Sequence, residues 1–423
     1  MLGTFPALTE TFVLREIGAI RRRGMDVVVC AIRRPAIAQH ARLAALATDT
    51  ACLYARPDSV LRHLAANLVY LLRHPGRYLV CLRTFLREGA TLPPREALQL
   101  LFHFLSGVGF LRDLHRLGVT RVHCHFNSST NMALAAHMVG DMPFSFTVHA
   151  NPDLFIKPTL LEEKVATARF VVAVCEYNRR FLDVLTGFRH SAKLHRIYNG
   201  IEQREALQSQ TSGDHTTSQP PAAAGHRILS VGSLVTMKGH ATLIRACATL
   251  RGRGRTIRCR IIGEGPERPT LERLIRGYAL EDSVELAGAR PLDEVYAALS
   301  EADVFVLLSE IGPSGYRDSF PTVILEAMAA GLPVLSTSVS GIPEIILDGV
   351  TGMLVQERDV DGAIQALECL LDSDELRRSM GHKGRARTRE LFDIEQSADQ
   401  LAALLSGDGV TADASTVPVR RNR

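Results

Sequence analysis

Short runs of almost wholly apolar residues alternate with longer amphipathic stretches along most of this chain. In the first half, the apolar runs occupy residues 25–32, 119–124, 144–148, 170–174 and 194–198. In the second half, they occupy residues 227–231, 256–262, 283–286, 304–308 and 333–336. Strands covered by helices on both faces have this composition, and helices between such strands connect a parallel sheet. The pattern therefore predicts an α/β fold with two doubly wound, Rossmann-like domains.

A polar break separates the two halves. The stretch QSQTSGDHTTSQPPAAAG is rich in Pro and Gly and has no hydrophobic periodicity, which is typical of a flexible linker. For the 423 residues, we predict an N-terminal domain at 1–201 with a helical insertion at about 60–117. A linker at 202–226 joins it to a C-terminal domain at 227–391. A helix at 392–406 is predicted to pack back on the first domain, and a disordered tail follows at 407–423.

Composition excludes several classes of protein. With 46% hydrophobic and 22% charged residues, the chain is neither collagen-like nor intrinsically disordered. Its eight cysteines lack any C-x-x-C spacing, which favours buried, reduced thiols over a disulfide framework or a zinc site. No apolar run reaches about 18 residues, and no charged leader precedes an apolar core at the start, so we predict neither a spanning helix nor a signal peptide. These features favour a cytoplasmic protein.

Charge is distributed unevenly between the halves. Residues 1–200 carry 25 Lys and Arg against 14 Asp and Glu, whereas the remainder carries 24 against 31. A basic half joined to an acidic half indicates two domains with different partners. The basic half suits anionic lipid or a phosphorylated substrate. Few aromatic residues and no recognisable binding motif argue against nucleic acid.

Residues 60–87 combine two apolar helical stripes with flanking arginines. The stripes consist of Leu61, Leu64, Leu68, Leu71 and Leu72 and of Tyr78, Leu79, Leu82 and Phe85, and the arginines are Arg62, Arg73, Arg77, Arg83 and Arg87. A helix pair of this kind can lie on a membrane surface, peripheral to the bilayer. The alternative is a helical pair that packs on the core of the first domain and leaves its arginines in solvent.

The sharpest motif is VGSLVTMKGH at residues 231–240. A strand ends there, a turn containing Gly232 follows, and a helix is predicted to begin near Lys238. Such a junction directs backbone N–H groups and a helix N-terminus towards an anion, and Lys238 adds a point charge suited to a diphosphate. The alternative is an ordinary turn with Lys238 at the surface.

A second motif, DSFPTVILEAMAAGLPV, covers residues 318–334. Asp318 precedes a helix predicted to start at Pro321, a favoured first position. Glu326 lies inside this helix among apolar residues, where a buried acid is costly without partners. A ribose diol can supply them, because a carboxylate accepts two hydroxyl hydrogen bonds. The alternative is an N-cap aspartate and a partly exposed glutamate.

Two further features are weaker. In the turn IGEGP at 262–266, the glycines allow close backbone approach to a ligand. The alternative is an ordinary turn that binds no ligand. His149 ends a strand at the edge where open α/β sheets bind ligands. His123 and His125 lie two residues apart and share a face, but no carboxylate or Cys pattern completes a metal site, so we predict none.

Together these motifs resemble the family 4 retaining glycosyltransferases of group 1, which have the GT-B fold, in the branch of colanic-acid and exopolysaccharide enzymes. The resemblance runs over nearly the whole chain. The segments that carry it are FPALTETFV at 5–13, HCHF at 123–126, PFSFTVHA at 143–150, EYNR at 176–179, YNGI at 198–201, the stretches 232–239 and 318–333, and SGIPE at 340–344.

The resemblance implies a nucleotide-diphosphate sugar, with UDP as the nucleotide, in a cleft between the two domains. The catalytic residues it implies are His149, which approaches the sugar from the first domain, Asp318, which lies near the sugar, and Lys238, which contacts the diphosphate. The donor-binding residues it implies are Gly232, Ser233, Lys238, Gly263, Glu264, Phe320, Pro321, Thr322 and Glu326, the last of which holds the ribose. Glu10 would orient a loop of the first domain. The implied acceptor is a sugar on a lipid carrier, and no cofactor or metal is implied.

The implied function is a retaining hexosyltransferase that builds a cell-surface polysaccharide or glycoconjugate on the inner face of the membrane. One alternative is a nucleotide-sugar 2-epimerase of the same fold, and another is a non-catalytic partner that binds sugar nucleotides. The chain departs from the family pattern at Ser233, where many relatives carry Arg, at Asp318, which is shorter than Glu, and after His149. Only residues 1–4 precede the FP segment, where relatives have a strand, so we expect the first sheet to lack that strand.

Overall fold

The structure is a computed structural model that describes residues 1–5, 11–33, 52–54, 60–150, 154–156, 158–203 and 225–407. Most of the predicted linker and nearly all of the predicted tail lie outside the described residues, and so does Glu10. The architecture below is therefore that of the described ranges.

Seven parallel strands are described in the first half of the chain. They are β1 Leu2–Thr4, β2 Val29–Arg33, β3 Cys52–Tyr54, β4 Val122–His125, β5 Phe144–Val148, β6 Val171–Ala173 and β7 Leu194–Arg196. The first three form one sheet in the order β1-β2-β3, and the other four form a second in the order β4-β5-β6-β7. The amide of His125 donates to the carbonyl oxygen of Met1 at 3.2 Å, which brings β1 alongside β4.

The short segment before residue 5 is itself a strand. Leu2 pairs with Ala31 and Thr4 pairs with Arg33 in parallel register. The expectation that the first sheet would lack this strand was therefore wrong. Three residues are enough because a parallel neighbour on one side and the His125 amide on the other satisfy backbone groups of this segment.

A six-stranded parallel sheet is described in the second half. Its strands are β8 His226–Val231, β9 Ile257–Ile262, β10 Val284–Gly288, β11 Val304–Leu307, β12 Val334–Thr337 and β13 Gly352–Val355. Their order in space is β10-β9-β8-β11-β12-β13. The sheet thus grows outward in both directions from β8, which is the doubly wound topology that the alternating pattern predicts.

Helices connect the strands and cover the sheets. The described α-helices are α1 Thr11–Arg22, α2 Val60–Arg73, α3 Pro75–Gly89, α4 Pro94–Arg116, α5 Asn127–Gly140, α6 Leu161–Thr167, α7 Glu176–Leu185, α8 His240–Gly252, α9 Arg268–Gly277, α10 Leu292–Glu301, α11 Thr322–Ala329, α12 Ile342–Ile345, α13 Val360–Asp372, α14 Asp374–Leu391 and α15 Ile394–Ser406. Every residue of β5 and β11 is buried, because helices lie on both faces of those strands.

The helices at 60–116 only partly follow the predicted stripes. Tyr78 and Phe85 are buried against Phe104 of α4, with ring centroids 5.2 and 5.5 Å from that ring. The second stripe therefore packs on the core and is not wholly a surface feature. Along α2, in contrast, Leu61 and Leu72 are 80% and 73% exposed.

The last described helix, α15, returns to the first half of the chain. Ile394, Ala398 and Leu401 form a buried cluster with Ala19 and Ile20 of α1. Arginines at the end of α1 pair with Glu395 and Asp399 of α15. Among the described helices, none is both long and apolar enough to cross a bilayer.

Candidate active site

The candidate site lies at the carboxyl ends of the strands of the six-stranded sheet, where β8 stands between β9 and β11. Doubly wound sheets open a crevice at such a point, because the connections on the two sides of the central strand leave towards opposite faces. The turns that follow Val231, Ile262 and Leu307 all begin at this edge. The three motifs of the second half therefore converge on one region.

Lys238 closes a 3-10 turn, and the α-helix itself begins two residues later, at His240. The ammonium nitrogen of Lys238 lies 2.8 and 2.9 Å from the two carboxylate oxygens of Asp318. Both side chains are largely buried. An ammonium has three N–H donors and Asp318 accepts two, so the pair fixes a cation at the sheet edge and leaves a donor for a ligand.

Asp318 is not the N-cap of the helix that follows it. Pro321 occupies that position, and the helix runs over Thr322–Ala329. The Oδ2 atom of Asp318 instead accepts a hydrogen bond from the hydroxyl of Ser309 at 2.8 Å, in addition to its bonds from Lys238. The carboxylate of Asp318 therefore accepts hydrogen bonds from two groups, the Lys238 ammonium and the Ser309 hydroxyl.

The glycine turns after β8 and β9 pack backbone against backbone. A Cβ atom on Gly263 would lie 1.9 Å from the carbonyl oxygen of Gly232, and one on Gly265 would lie 2.4 Å from that of Leu234. Both positions therefore require glycine. The amide of Gly232 donates to the oxygen of Ile262 at 2.9 Å, so this amide serves the sheet and does not point to a ligand.

The side chains of the remaining donor-binding candidates are less confined. Ser233 is exposed at the turn after β8, and Thr322 is half-buried at the start of its helix. Glu264 is exposed and accepts a hydrogen bond from Arg268 at 2.8 Å.

Phe320 packs between the two halves of the chain. Its ring stacks on Tyr198 with centroids 5.2 Å apart and 16° between the planes, and it meets Phe392 at 5.7 Å. The Phe320 ring thus packs against residues of both halves. The family resemblance had instead implied that Phe320 binds the donor.

Glu326 is buried and has a charged partner that the sequence did not indicate. Its Oε1 atom lies 2.9 Å from Nη2 of Arg15, and both side chains are at most 7% exposed. The same Nη2 atom donates to the hydroxyl of Tyr296 at 3.0 Å. Arg15 belongs to α1, where its buried neighbours Val13 and Leu14 are apolar. An arginine on the apolar face of a helix is the one signal that could have indicated this pair.

Glu344 makes a second link between the halves. Its two carboxylate oxygens accept hydrogen bonds from the amides of Glu176 and Tyr177 at 2.7 and 2.8 Å. The hydroxyl of Tyr198 donates to the same carboxylate at 3.1 Å. These amides begin helix α7, so an acid from the second half satisfies the N-terminus of a helix in the first.

Two arginines of the second half that could replace the cation missing at position 233 have other partners. Arg317 donates to the hydroxyl of Tyr177 at 3.2 Å, and its guanidinium carbon lies 4.7 Å from the centre of the Phe155 ring. Arg290 donates to the carbonyl oxygen of Ala287 at 3.0 Å.

His149 lies at the carboxyl end of β5 and is buried. Its Nε2 atom is 3.0 Å from Nδ1 of His125, and Nε2 of His125 is 3.0 Å from a carboxylate oxygen of Glu16. The rings of Phe12 and Phe126 lie 4.8 Å from the His149 ring. A carboxylate, two imidazoles and two phenyl rings therefore form one cluster in the first half.

Burial governs the charge of this cluster. Burial lowers the pKa of His125 to about 3, and the Met1 ammonium adds to this effect. Burial, followed by the neighbouring His125, lowers the pKa of His149 well below its ordinary value. Burial also raises the pKa of Glu16 to about 6. Both imidazoles are therefore neutral near pH 7, and each carries one donor and one acceptor nitrogen.

Glu16 supplies the carboxylate that the sequence pattern around His123 and His125 lacked. One ligand atom from each of these three residues lies within 4.8 Å of the others. The two ring nitrogens of His123, however, are hydrogen-bonded to the hydroxyls of Ser145 and Thr147 at 2.8 and 2.9 Å. These bonds satisfy the ring of His123 without an ion.

Comparisons with known proteins give a family match and partial relatives. Residues 218–387 match the family model described as "Glycosyl transferases group 1". WcaL of Escherichia coli K12, named for glycosyl transfer in colanic acid biosynthesis, is 42% identical over 180 residues, which are 42% of this chain and 44% of that protein. The amylovoran biosynthesis glycosyltransferase AmsK of Erwinia amylovora is 38% identical over 187 residues, which are 42% of this chain and 44% of that protein. The matched segment thus spans less than half the length of these relatives.

Solved structures match nearly the whole chain. A complex of HepE from Anabaena with UDP has a TM-score of 0.67 at 17% identity and covers 96% of this chain and 99% of that one. Sucrose-phosphate synthase from Thermosynechococcus elongatus has a TM-score of 0.69 at 20% identity, with coverages of 96% and 95%. At these identities the likeness is one of fold, and it confirms the predicted GT-B architecture.

Proposed function

We propose that the chain is a retaining glycosyltransferase, since residues 218–387 match the family model of the glycosyl transferases group 1. It transfers a hexose from a nucleotide-diphosphate sugar to a sugar acceptor during the synthesis of a cell-surface polysaccharide or glycoconjugate. The observation that carries this proposal is the pair of Lys238 and Asp318, fixed at the carboxyl ends of the strands of the six-stranded sheet with N···O distances of 2.8 and 2.9 Å.

Lys238 is the group that stabilises the leaving diphosphate. Charge accumulates on the diphosphate as the glycosidic bond breaks, and a preorganised cation lowers the free energy of that state. Asp318 holds the ammonium in place and is itself held by the Ser309 hydroxyl, so little reorganisation is needed when the bond breaks. UDP is the nucleotide we propose, since solved neighbours were crystallised with UDP and with UDP-glucose.

Glu326 binds the ribose of the donor. A buried carboxylate has several lone pairs, and Arg15 engages one of its oxygens, Oε1, at 2.9 Å. The other oxygen can accept from the two ribose hydroxyls. Arg15 then keeps the carboxylate oriented in the absence of donor.

His149 reaches the donor sugar from the first half of the chain. The acceptor hydroxyl attacks on the same face that the diphosphate leaves, and the leaving diphosphate takes the hydroxyl proton, so the anomeric configuration is retained. The protein contributes position and electrostatic stabilisation to this step. Neutral His149 suits hydrogen bonding to a sugar hydroxyl, because burial keeps its pKa low.

The acceptor sugar is carried on a lipid, and the chain binds the membrane surface through its first half. Leu61, Leu64, Leu68 and Leu72, here called the leucine face, are all exposed along α2. Their neighbours Arg62, Arg73, Arg83 and Arg87 are exposed as well. A second helix adds an apolar groove, lined by Leu79, Leu82 and Leu86 together with Arg83 and Arg87. Exposed leucines beside arginines fit the interface of an anionic bilayer.

Calorimetric titration with UDP, GDP, ADP and their hexose conjugates tests the proposal. We expect metal-free binding of one nucleotide class, unchanged by added Mg²⁺, because Lys238 neutralises the diphosphate. Absence of binding to every nucleotide by the folded protein would contradict it and favour a non-catalytic partner. A bound donor whose sugar changes configuration at C2 without any acceptor would favour the epimerase alternative.

A further inference from the structure

We propose that Glu16 and His125 are positioning residues that determine which of the two ring nitrogens of His149 carries the proton. Whether Nδ1 of His149 donates or accepts a hydrogen bond then depends on Glu16, two side chains away. The meaning of this choice for the donor sugar rests on the function proposed above, but the proton position itself does not.

The geometry is a continuous hydrogen-bonded chain. Glu16 Oε1 lies 3.0 Å from Nε2 of His125, and Nδ1 of His125 lies 3.0 Å from Nε2 of His149. The strands β4 and β5 are paired with His125 opposite Thr147, which places His149 two residues further along the same face. The two imidazole rings stack with centroids 5.3 Å apart and 25° between their planes. The register of β4 and β5, together with the position of helix α1, produces this series of hydrogen bonds.

A neutral imidazole has one donor and one acceptor nitrogen, so only two arrangements satisfy both hydrogen bonds. If Glu16 is ionised, it accepts from Nε2–H of His125, the bare Nδ1 of His125 accepts from Nε2–H of His149, and Nδ1 of His149 is an acceptor. If Glu16 is protonated, its O–H donates to Nε2 of His125. Nδ1–H of His125 then donates to Nε2 of His149, and Nδ1 of His149 carries the proton. One proton added at Glu16 thus reverses both rings.

Glu16 is the member of the chain that changes charge near neutral pH. Burial raises its pKa to about 6, whereas burial lowers the pKa of His125 to about 3. Burial also lowers the pKa of His149 well below its ordinary value. Besides His125, the groups that face Glu16 from other elements are His123 and the Met1 ammonium, and a positive charge on either opposes the rise in its pKa. The ring of His123 is itself neutral, because burial lowers its pKa to about 3.

Aromatic rings and a side-chain amide also hold His149 in position. Phe12 and Phe126 pack on the His149 ring with centroids 4.8 Å away. The amide of Asn178 donates to the backbone oxygen of His149 at 2.6 Å, which fixes the position of that residue without contacting its ring. The neighbouring Arg15 on α1 is paired with Glu326.

Imidazole ¹⁵N chemical shifts of the ligand-free protein test the proposal without any donor or acceptor. A protonated ring nitrogen and a bare one have well separated shifts, and [¹⁵N]histidine labelling reports both atoms of each ring. Signals are assigned by their loss in His149→Gln and His125→Gln. Between pH 8 and pH 5 we expect Nδ1 of His149 to change from bare to protonated and Nε2 to change oppositely, with a midpoint near pH 6.

Variants distinguish control of the His149 proton by Glu16 and His125 from a general effect of pH. Glu16→Gln and His125→Gln should each abolish the exchange at His149, and Glu16→Asp should retain it. Glu162→Gln is the matched control, because Glu162 and His190 form another carboxylate–histidine pair at 3.0 Å, away from the cluster. A His149 ring with unchanged shifts from pH 5 to pH 8 in the wild-type protein would overturn the proposal, and so would an exchange that persists in Glu16→Gln. Failure here leaves nucleotide binding untouched, so it is separable from failure of the proposed function.

Discussion

Arg15 and Glu326 form a buried ion pair with a 2.9 Å contact, although 310 residues of sequence lie between them. One belongs to the first helix of the chain and the other to the helix that follows the Asp318 loop. The pair thus ties α1 to α11. It also gives a buried carboxylate the positive partner that its environment requires.

We predict that Arg15→Met lowers the free energy of unfolding by about 3 kcal/mol, because it leaves the Glu326 carboxylate buried without its cation. The double variant Arg15→Met/Glu326→Gln should recover a large part of this loss. Urea unfolding of the wild type, the two single variants and the double variant measures the coupling. Equal stabilities of Arg15→Met and the double variant would contradict the pair's role.

We predict that Lys238→Ala weakens metal-free binding of UDP by at least ~10-fold, the loss expected for one charge-assisted hydrogen bond to a diphosphate. The fold should persist, since Lys238 lies on a turn at the edge of the sheet. Calorimetry with UDP measures the effect. The exposed Lys383→Ala is the control for loss of one positive charge, and it should bind UDP like the wild type. Equal affinities of the two variants would remove Lys238 from the site.

The sequence predicted the fold class because strands that are buried on both faces can be recognised from short segments rich in apolar residues. Strands β5, β8 and β9 occur within two residues of their predicted positions, since apolar residues are concentrated in each. Strands Leu2–Thr4 and Cys52–Tyr54 were missed. Their existence depends on pairing with β2, which is a tertiary effect.

The candidate site was predictable only one residue at a time. Lys238 and Glu326 stood out as charges at a strand end and inside an apolar helix, and both readings depend on local context alone. The partners Asp318 and Arg15 are set by strand order and by the approach of α1, which no local pattern records. Glu16 was missed for the same reason, since its contact to His125 spans two elements.

We predict that Gly263→Ala destabilises the second half of the chain by about 2 kcal/mol or more and weakens UDP binding with it. The new Cβ would lie 1.9 Å from the oxygen of Gly232, and Gly263 has φ of +155°, so the turn beside Lys238 must move. Gly277→Ala is the matched control, because no atom lies within 4 Å of its Cβ position and it sits in a helix. In thermal unfolding, Gly263→Ala should lower the melting temperature, whereas Gly277→Ala should raise it or leave it unchanged.

We predict that the chain binds vesicles of anionic phospholipid and that Leu61→Ser/Leu68→Ser/Leu72→Ser weakens this binding by at least ~10-fold. The reason is the exposure of the leucine face, which inserts into the interface while its arginines meet the headgroups. Vesicle sedimentation at low and high salt measures both contributions, since salt screens only the charges.

The control for the membrane prediction is a second exposed apolar patch of the same size. Val184, Leu185 and Phe188 are 64%, 46% and 65% exposed at the end of α7. Their triple serine variant should bind vesicles like the wild type. Equal loss in both triple variants would indicate that any exposed apolar residue suffices, and no binding by the wild type at low salt would exclude the surface.

We predict that acid destabilises the protein well above pH 4 through its buried histidines. Burial, followed by the charge of Lys164, lowers the pKa of His103 to about 4, below its value of about 6.5 in an unfolded chain. A depressed pKa of this kind contributes stability above pH 6.5 that is lost as the pH falls towards 4, because the unfolded chain takes up the proton first. Urea unfolding at pH 7.5 and 4.5 should therefore show a smaller loss for His103→Gln than for the wild type, by up to about 3 kcal/mol. The exposed His382→Gln controls for loss of a surface histidine, and a loss in His103→Gln equal to that of this control would show that His103 does not govern the acid sensitivity.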